Sequence, residues 1–148
     1  MYNGSMDCPF CNIITAHTER IIRETEHSFT VLSNPRLMEG HLLVIPKRHV
    51  EKFSELGNEE RNDLFDEAIL LEERILEEFS SGCDMSQHFR PFIAQSRLKV
   101  NHLHIHLRPR TYEDELYQKV QIYEKDVFHD ISEEEFAKFK KIFSRTAS

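Results

Sequence analysis

Punctuation is scarce in this 148-residue chain, which has four glycines and five prolines, so each one that occurs marks a boundary. Three cysteines, Cys8, Cys11 and Cys83, are too few for a disulfide framework. No apolar run approaches the roughly 20 residues that cross a bilayer, and the N-terminus lacks the basic-then-apolar order of a signal peptide. A cytoplasmic address without a membrane partner is therefore expected. Repeats, low-complexity tracts and linkers are missing as well, and the length points to one domain. An excess of positive charge is also absent. Nineteen basic against 26 acidic side chains leave a net charge of −7, which disfavours a nucleic-acid partner.

What is present is enough for a core: 39% of residues are apolar and 30% charged, the mixture of a soluble globular protein. Ile21–Glu24 and Ser28–Leu32 are rich in β-branched and aromatic residues and read as an antiparallel strand pair. His41–Ile45 reads as a buried strand stopped by Pro46, which has no amide proton for a ladder. From Asn58 to Phe79 the apolar period changes to three and four through Leu64, Phe65, Ala68, Leu71, Ile75, Leu76 and Phe79. That spacing predicts a long helix, capped at Asn58 and ended by Gly82. Phe89–Gln95 and Leu98–Leu107 read as two further strands, and Cys83 as an unpaired thiol in a loop. Ser132–Phe143 reads as a C-terminal helix with a Ser132/Glu135 capping box. The order of elements predicts an α+β fold with an antiparallel sheet of about five strands, one long helix and a C-terminal helix.

The most informative stretch is His102-Leu103-His104-Ile105-His106-Leu107. Strand side chains alternate faces, so the three histidines share one face and the three apolar residues the other. Neighbouring imidazoles resist joint protonation, because like charges disfavour the charged form, and at least one stays neutral and nucleophilic near pH 7. A solvent-facing strand using histidine as an ordinary polar residue is the alternative. Three histidines in register with apolar partners weigh against it.

This segment closely resembles the signature of the histidine triad (HIT) family, with Arg108 standing where that pattern ends in an apolar residue. Gly40-His41-Leu42-Leu43-Val44-Ile45-Pro46-Lys47-Arg48-His49 and the opening Cys8-Pro9-Phe10-Cys11-Asn12-Ile13-Ile14 match two further family elements. The resemblance spans residues 8–110. It implies a HIT-like catalytic domain over 8–110, followed by a C-terminal extension, 111–148, packed on the same domain; residues 1–7 read by their composition as a disordered start or a cloning remnant. It implies that His104 attacks the α-phosphorus of an adenosine-like nucleotide, giving a nucleotidyl-histidine that water cleaves to a nucleoside monophosphate. His106 and His41 are then the partners that position the phosphate, and histidine at 106 goes with hydrolysis. Ser33 or Asn34 is expected at the ribose, although Asn34 equally suits the turn before Pro35. Gln95 is expected near phosphate. The usual glycine-rich loop before the triad is missing, and Ser96, Arg97 and Lys99 are the expected replacements. Dinucleoside polyphosphates lead as substrates, with adenosine phosphoramidates as the alternative. A nucleotide-binding module with little activity is the reading of a different class. A homodimer is expected.

Cys8 and Cys11 have the spacing of two thiolates on one tetrahedral metal, and by spacing alone they also suit small buried hydrophobes. A redox pair would need a thioredoxin-like context that the sequence lacks. The resemblance adds His49 and His102 and so implies a structural Cys-Cys-His-His zinc site. His17, His27, His88 and His129 belong to no motif and are expected on the surface.

Overall fold

The computed structural model describes residues 8–145, apart from the side chains at 121 and 122; the expected disordered start at 1–7 lies outside the described residues. The chain folds as α+β. In order it forms α1 (Pro9–Ala16), β1 (Ile21–Glu24), β2 (Ser28–Leu32), β3 (Leu42–Pro46), α2 (Asn58–Glu78), β4 (Gly82–Ser86) and β5 (Ile105–Arg110). Short helical turns, including α3 (Ile122–Glu124), lead to α4 (Glu133–Phe143). The five strands make one antiparallel sheet in the order β1-β2-β3-β5-β4.

Alternation divides β3 and the triad segment between the two faces of this sheet. Leu42 and Val44 of β3 pack with Leu103, Ile105 and Leu107 against Leu64, Ala68, Leu71 and Ile75 of α2. On the opposite face Leu43 and Ile45 pack with Phe29 and Val31 against Phe10, Cys11 and Ile13 of α1. All of β3 is buried, which is why it is a continuous apolar run rather than an alternating one. Two polar ties hold α2 to the first hairpin. Asp63 Oδ2 accepts from Thr25 Oγ1 at 2.6 Å and from the His27 amide at 2.9 Å. Glu67 takes both Nε and a terminal nitrogen of Arg23, at 2.9 and 3.0 Å. Leu64 sits at the centre of this layer with no exposed surface. Leu64→Ala is expected to cost about 2–5 kcal/mol, the usual range for a buried leucine, and urea denaturation measures it.

Several elements differ from the sequence reading. Gly57, not Asn58, holds the N-cap of α2, and its amide donates to Glu60 Oε1 at 2.9 Å. The helix ends at Glu78, so the stop comes before Gly82. Gly82 opens β4, which places Cys83 in a strand and not in a loop. Phe89–Gln95 is not a strand: Pro91 opens a turn there, and Phe92 is 82% exposed. The sheet instead takes up Gly82–Ser86, a segment poor in strand formers, because Met85 pairs with Leu107 over the core. The last strand runs over Ile105–Arg110, while Ser96 and Lys99 close a small turn ahead of the triad. Helix α1 was not foreseen. Pro9 stands in its first turn and Cys8 caps it, the Cys11 amide donating to Cys8 Sγ at 3.4 Å.

Arg110 is 8% exposed and links the sheet to the C-terminal extension, donating to both oxygens of Asp114 and to Asp84. Ser132 caps α4 by accepting from the Glu135 amide at 3.1 Å. None of the residues of α4 is buried, and Phe136, Phe139, Ile142 and Phe143 all remain exposed. Among the described residues, none of those in α4 is therefore covered by the rest of the chain.

Candidate functional site

The Cys-x-x-Cys pair and the triad meet at one residue, His102. Cys8 Sγ lies 3.3 Å from His102 Nδ1, and Cys11 Sγ lies 3.6 Å from the same nitrogen and 3.5 Å from His49 Nδ1. The two imidazole Nδ1 atoms are 3.1 Å apart. All four ligand atoms fall within 4.8 Å of one another. A zinc ion with Zn–S near 2.3 Å and Zn–N near 2.0–2.1 Å sets tetrahedral ligands roughly 3.3–3.8 Å apart, so the donor set fits such an ion. The protonation pattern fits too. His102 Nε2 stands 2.8 Å from the Pro46 carbonyl, which can only accept, so Nε2 carries the proton and Nδ1 presents a bare lone pair to the cluster. Burial pushes the Cys11 thiol up to about 12, with Cys8 beside it adding to the rise, so thiolate at neutral pH calls for a cation. Four protein ligands would leave no open position, the arrangement of a structural site.

The next histidine is oriented by the backbone of the one before. His104 Nδ1 is 2.6 Å from the His102 carbonyl, and donation to that acceptor leaves Nε2 as the basic nitrogen. The edge of Phe10 holds the ring, with centroids 5.0 Å apart. Burial lowers the His104 pKa, and His88 and Arg108 push in the same direction.

A second relay fixes His106. The Leu37 amide donates to His41 Nδ1 at 3.3 Å, so in neutral His41 the proton sits on Nε2. That nitrogen is 3.0 Å from His106 Nδ1, which must accept, and the His106 proton is left on Nε2. Burial drives both rings toward the neutral form, His41 down to about 4 and His106 to about 2. The triad thus offers a bare nitrogen at His104 beside an N–H donor at His106, with ring centroids 4.7 Å apart.

Both rings and His41 line a cavity of about 480 Å³. Ser33, Asn34, Ser96 and Arg97 line it as well. Ser33 Oγ is occupied in donating to the Pro35 carbonyl at 2.8 Å. Lys99 lines an adjoining cavity that shares His104 and His106, with its ammonium bonded to Asn101. Gln95 lines neither; its side chain accepts from the Asn101 amide at 3.1 Å and braces the loop. Sequence reasoning missed His88, whose ring lies 5.2 Å from that of His106, and Arg20 and Arg90. Arg20, Arg36, Arg90, Arg97 and Arg108 all line the main cavity, and among the described residues no carboxylate does. A chain of net charge −7 has gathered five guanidinium groups around one pair of imidazoles. Such a lining concentrates a small anion. The visible signal in the sequence was the acid-free run from Arg97 to Arg110; nothing local marked His88, Arg20 or Arg90.

Comparison with known proteins agrees with this geometry. The HIT domain family model matches residues 15–113. A crystal structure of a HIT family member from Bacillus subtilis superposes with a TM-score of 0.74 at 28% identity, covering 96% of this chain and 99% of that one. A Zn-bound histidine triad family protein from Mycobacterium smegmatis gives a TM-score of 0.58 at 26% identity, over 76% of this chain and 81% of its own. The bis(5'-adenosyl)-triphosphatase of Dictyostelium discoideum is 27% identical over 125 residues, 80% of this chain and 82% of its own. With the triad, the upstream histidine and the sheet all in place, the chain belongs to the HIT domain family.

Proposed function

We propose that this protein is a hydrolase that cleaves a nucleotide at its α-phosphate through a nucleotidyl-histidine intermediate, with dinucleoside polyphosphates as the leading substrates. The observation that carries the reading is the pairing of a bare His104 Nε2 with a protonated His106 Nε2 in a cavity lined by five arginines. In the first step Nε2 of His104 bonds to phosphorus, and the bond to the leaving oxygen breaks with its electron pair. The N–H of His106 and the nearby guanidinium groups stabilise the extra charge on the phosphoryl oxygens. Water then cleaves the phosphorus–nitrogen bond, releasing a nucleoside monophosphate and restoring the neutral ring. His41 positions His106 by the hydrogen bond between them. Asn34 and Ser33 line the cavity and are the residues assigned to the ribose in this reading. The likeness to a bis(5'-adenosyl)-triphosphatase supports the polyphosphate substrate over the phosphoramidate.

The same proposal gives Cys8, Cys11, His49 and His102 a structural zinc ion, supported by the donor geometry and by the Zn-bound relative. Three unpaired thiols support a reducing, cytoplasmic setting. The unburied apolar residues of α4 support a homodimer in which a second copy covers them. Among the described residues no helix is long and apolar enough to cross a membrane.

Hydrolysis of diadenosine triphosphate in oxygen-18 water tests the mechanism. Label is expected in the adenosine monophosphate and not in the diphosphate product, because water attacks the phosphorus held by His104. Label in the diphosphate alone would contradict the assignment.

A further inference from the structure

The triad face of β5 does not end at His106. Two residues on, Arg108 extends the same row, while Leu107 and Pro109 turn to the other side. Its Nε is buried and has no hydrogen-bond partner among the described residues, and neither has the buried Oγ of Ser86, which sits across the strand pair from His106. Buried polar atoms left unpaired cost stability, and Arg108 lines the cavity. Asp84, the cross-strand partner of Arg108, attracts it electrostatically but takes its hydrogen bond from Arg110. From the segment after β4, His88 lies against His106 with rings tilted by 33°, and Arg90 joins Arg108 in the cavity lining. Burial lowers the His88 pKa and both arginines push the same way, while Arg90 also acts on Arg108, so the two guanidinium groups form one cationic patch around a neutral ring beside the third triad histidine.

We propose that Arg108 and Arg90 seat the leaving group beyond the α-phosphate and select an anionic phosphate chain over an amine. This rests on the nucleotidyl-hydrolase reading and adds the residues that decide between its two substrate classes. When the bond between the α-phosphorus and the bridging oxygen breaks, the electron pair leaves with that oxygen. The departing chain gains one negative charge, which fixed cations stabilise directly. A departing amine instead needs a proton, which a permanently charged guanidinium does not supply. An amine that carries its own positive charge, such as a lysine side chain, is also repelled by the patch.

The test compares kcat/KM for diadenosine tetraphosphate and for adenosine 5'-phosphoramidate, using the full chain and the variants Arg108→Leu and Arg90→Ala. The unmodified protein is expected to favour the tetraphosphate. Arg108→Leu is expected to lower the ratio of the two constants by about 10-fold or more, in line with losing a charge-assisted contact to phosphate. Arg90→Ala, at an exposed position, carries the same test should Arg108→Leu lose its native circular dichroism. A preference for the phosphoramidate, or an unmoved ratio in a folded variant, would overturn the proposal while leaving the hydrolase reading intact. Cleavage of neither substrate would overturn both.

Discussion

His104→Ala is expected to lower kcat for nucleotide hydrolysis by about 10^4-fold or more, the scale on which removing a nucleophile acts. The reason is specific to this ring. Its Nδ1 is committed to the His102 carbonyl, so Nε2 alone is left to form the bond to phosphorus. His106 cannot take over, because its own Nδ1 accepts from His41 and its remaining nitrogen carries a proton. Stability should change little, since the ring contributes an edge contact with Phe10 and a hydrogen bond that is local in the chain. Single-turnover kinetics on diadenosine triphosphate, beside a thermal melt of the variant, check both halves. A folded His104→Ala protein that turns over at the parent rate would remove the nucleotidyl-histidine mechanism.

Loss of metal is the second large effect. The purified protein is expected to hold one zinc ion per chain, and Cys8→Ser to lose it together with about 3–5 kcal/mol of stability. For a chain of this size that is a fall in Tm of about 10 °C. The consequence reaches past stability because His102 belongs to two systems. Its Nδ1 faces the cysteines, its Nε2 donates to Pro46, and its carbonyl orients His104. Activity is therefore expected to fall with the metal even though no ligand enters the cavity. Acid should have the same direction of effect. Cys11 must lose a proton to bind, and burial holds that proton tightly, so metal affinity drops as pH falls. Metal analysis and calorimetry of Cys8→Ser decide the matter, with Cys83→Ser as the comparison that should keep both metal and Tm. A metal-free protein with an undiminished Tm would contradict the site.

Helix α2, the first hairpin and the alternation of the triad were legible because each is a local period. Apolar residues at three and four define one helix face, and residues at two define one strand face, whatever the rest of the chain does. Strand β4 was not legible for the opposite reason. Gly82–Ser86 has little intrinsic strand preference and is a strand because β5 offers it a free edge and Met85 a place in the core. Phe89–Gln95 has the better local composition and lost to a turn at Pro91. Helix α1 was hidden because eight residues hold too few turns for a period to emerge.

The candidate site divides in the same way. From sequence alone come the row of histidines on one face, the core residues between them and the paired cysteines, all set by spacings of two or three residues. Only the tertiary structure brings Cys8 and Cys11 to His49 and His102, across separations of up to 94 residues. Only the fold seats His41 against His106 and gathers Arg20, Arg36 and Arg90 around a triad from which each lies many residues away. Spacing fixes which way a side chain points within its own element. Which charges face one another is decided by how the elements pack, and here that turns an acidic chain into a basic cavity.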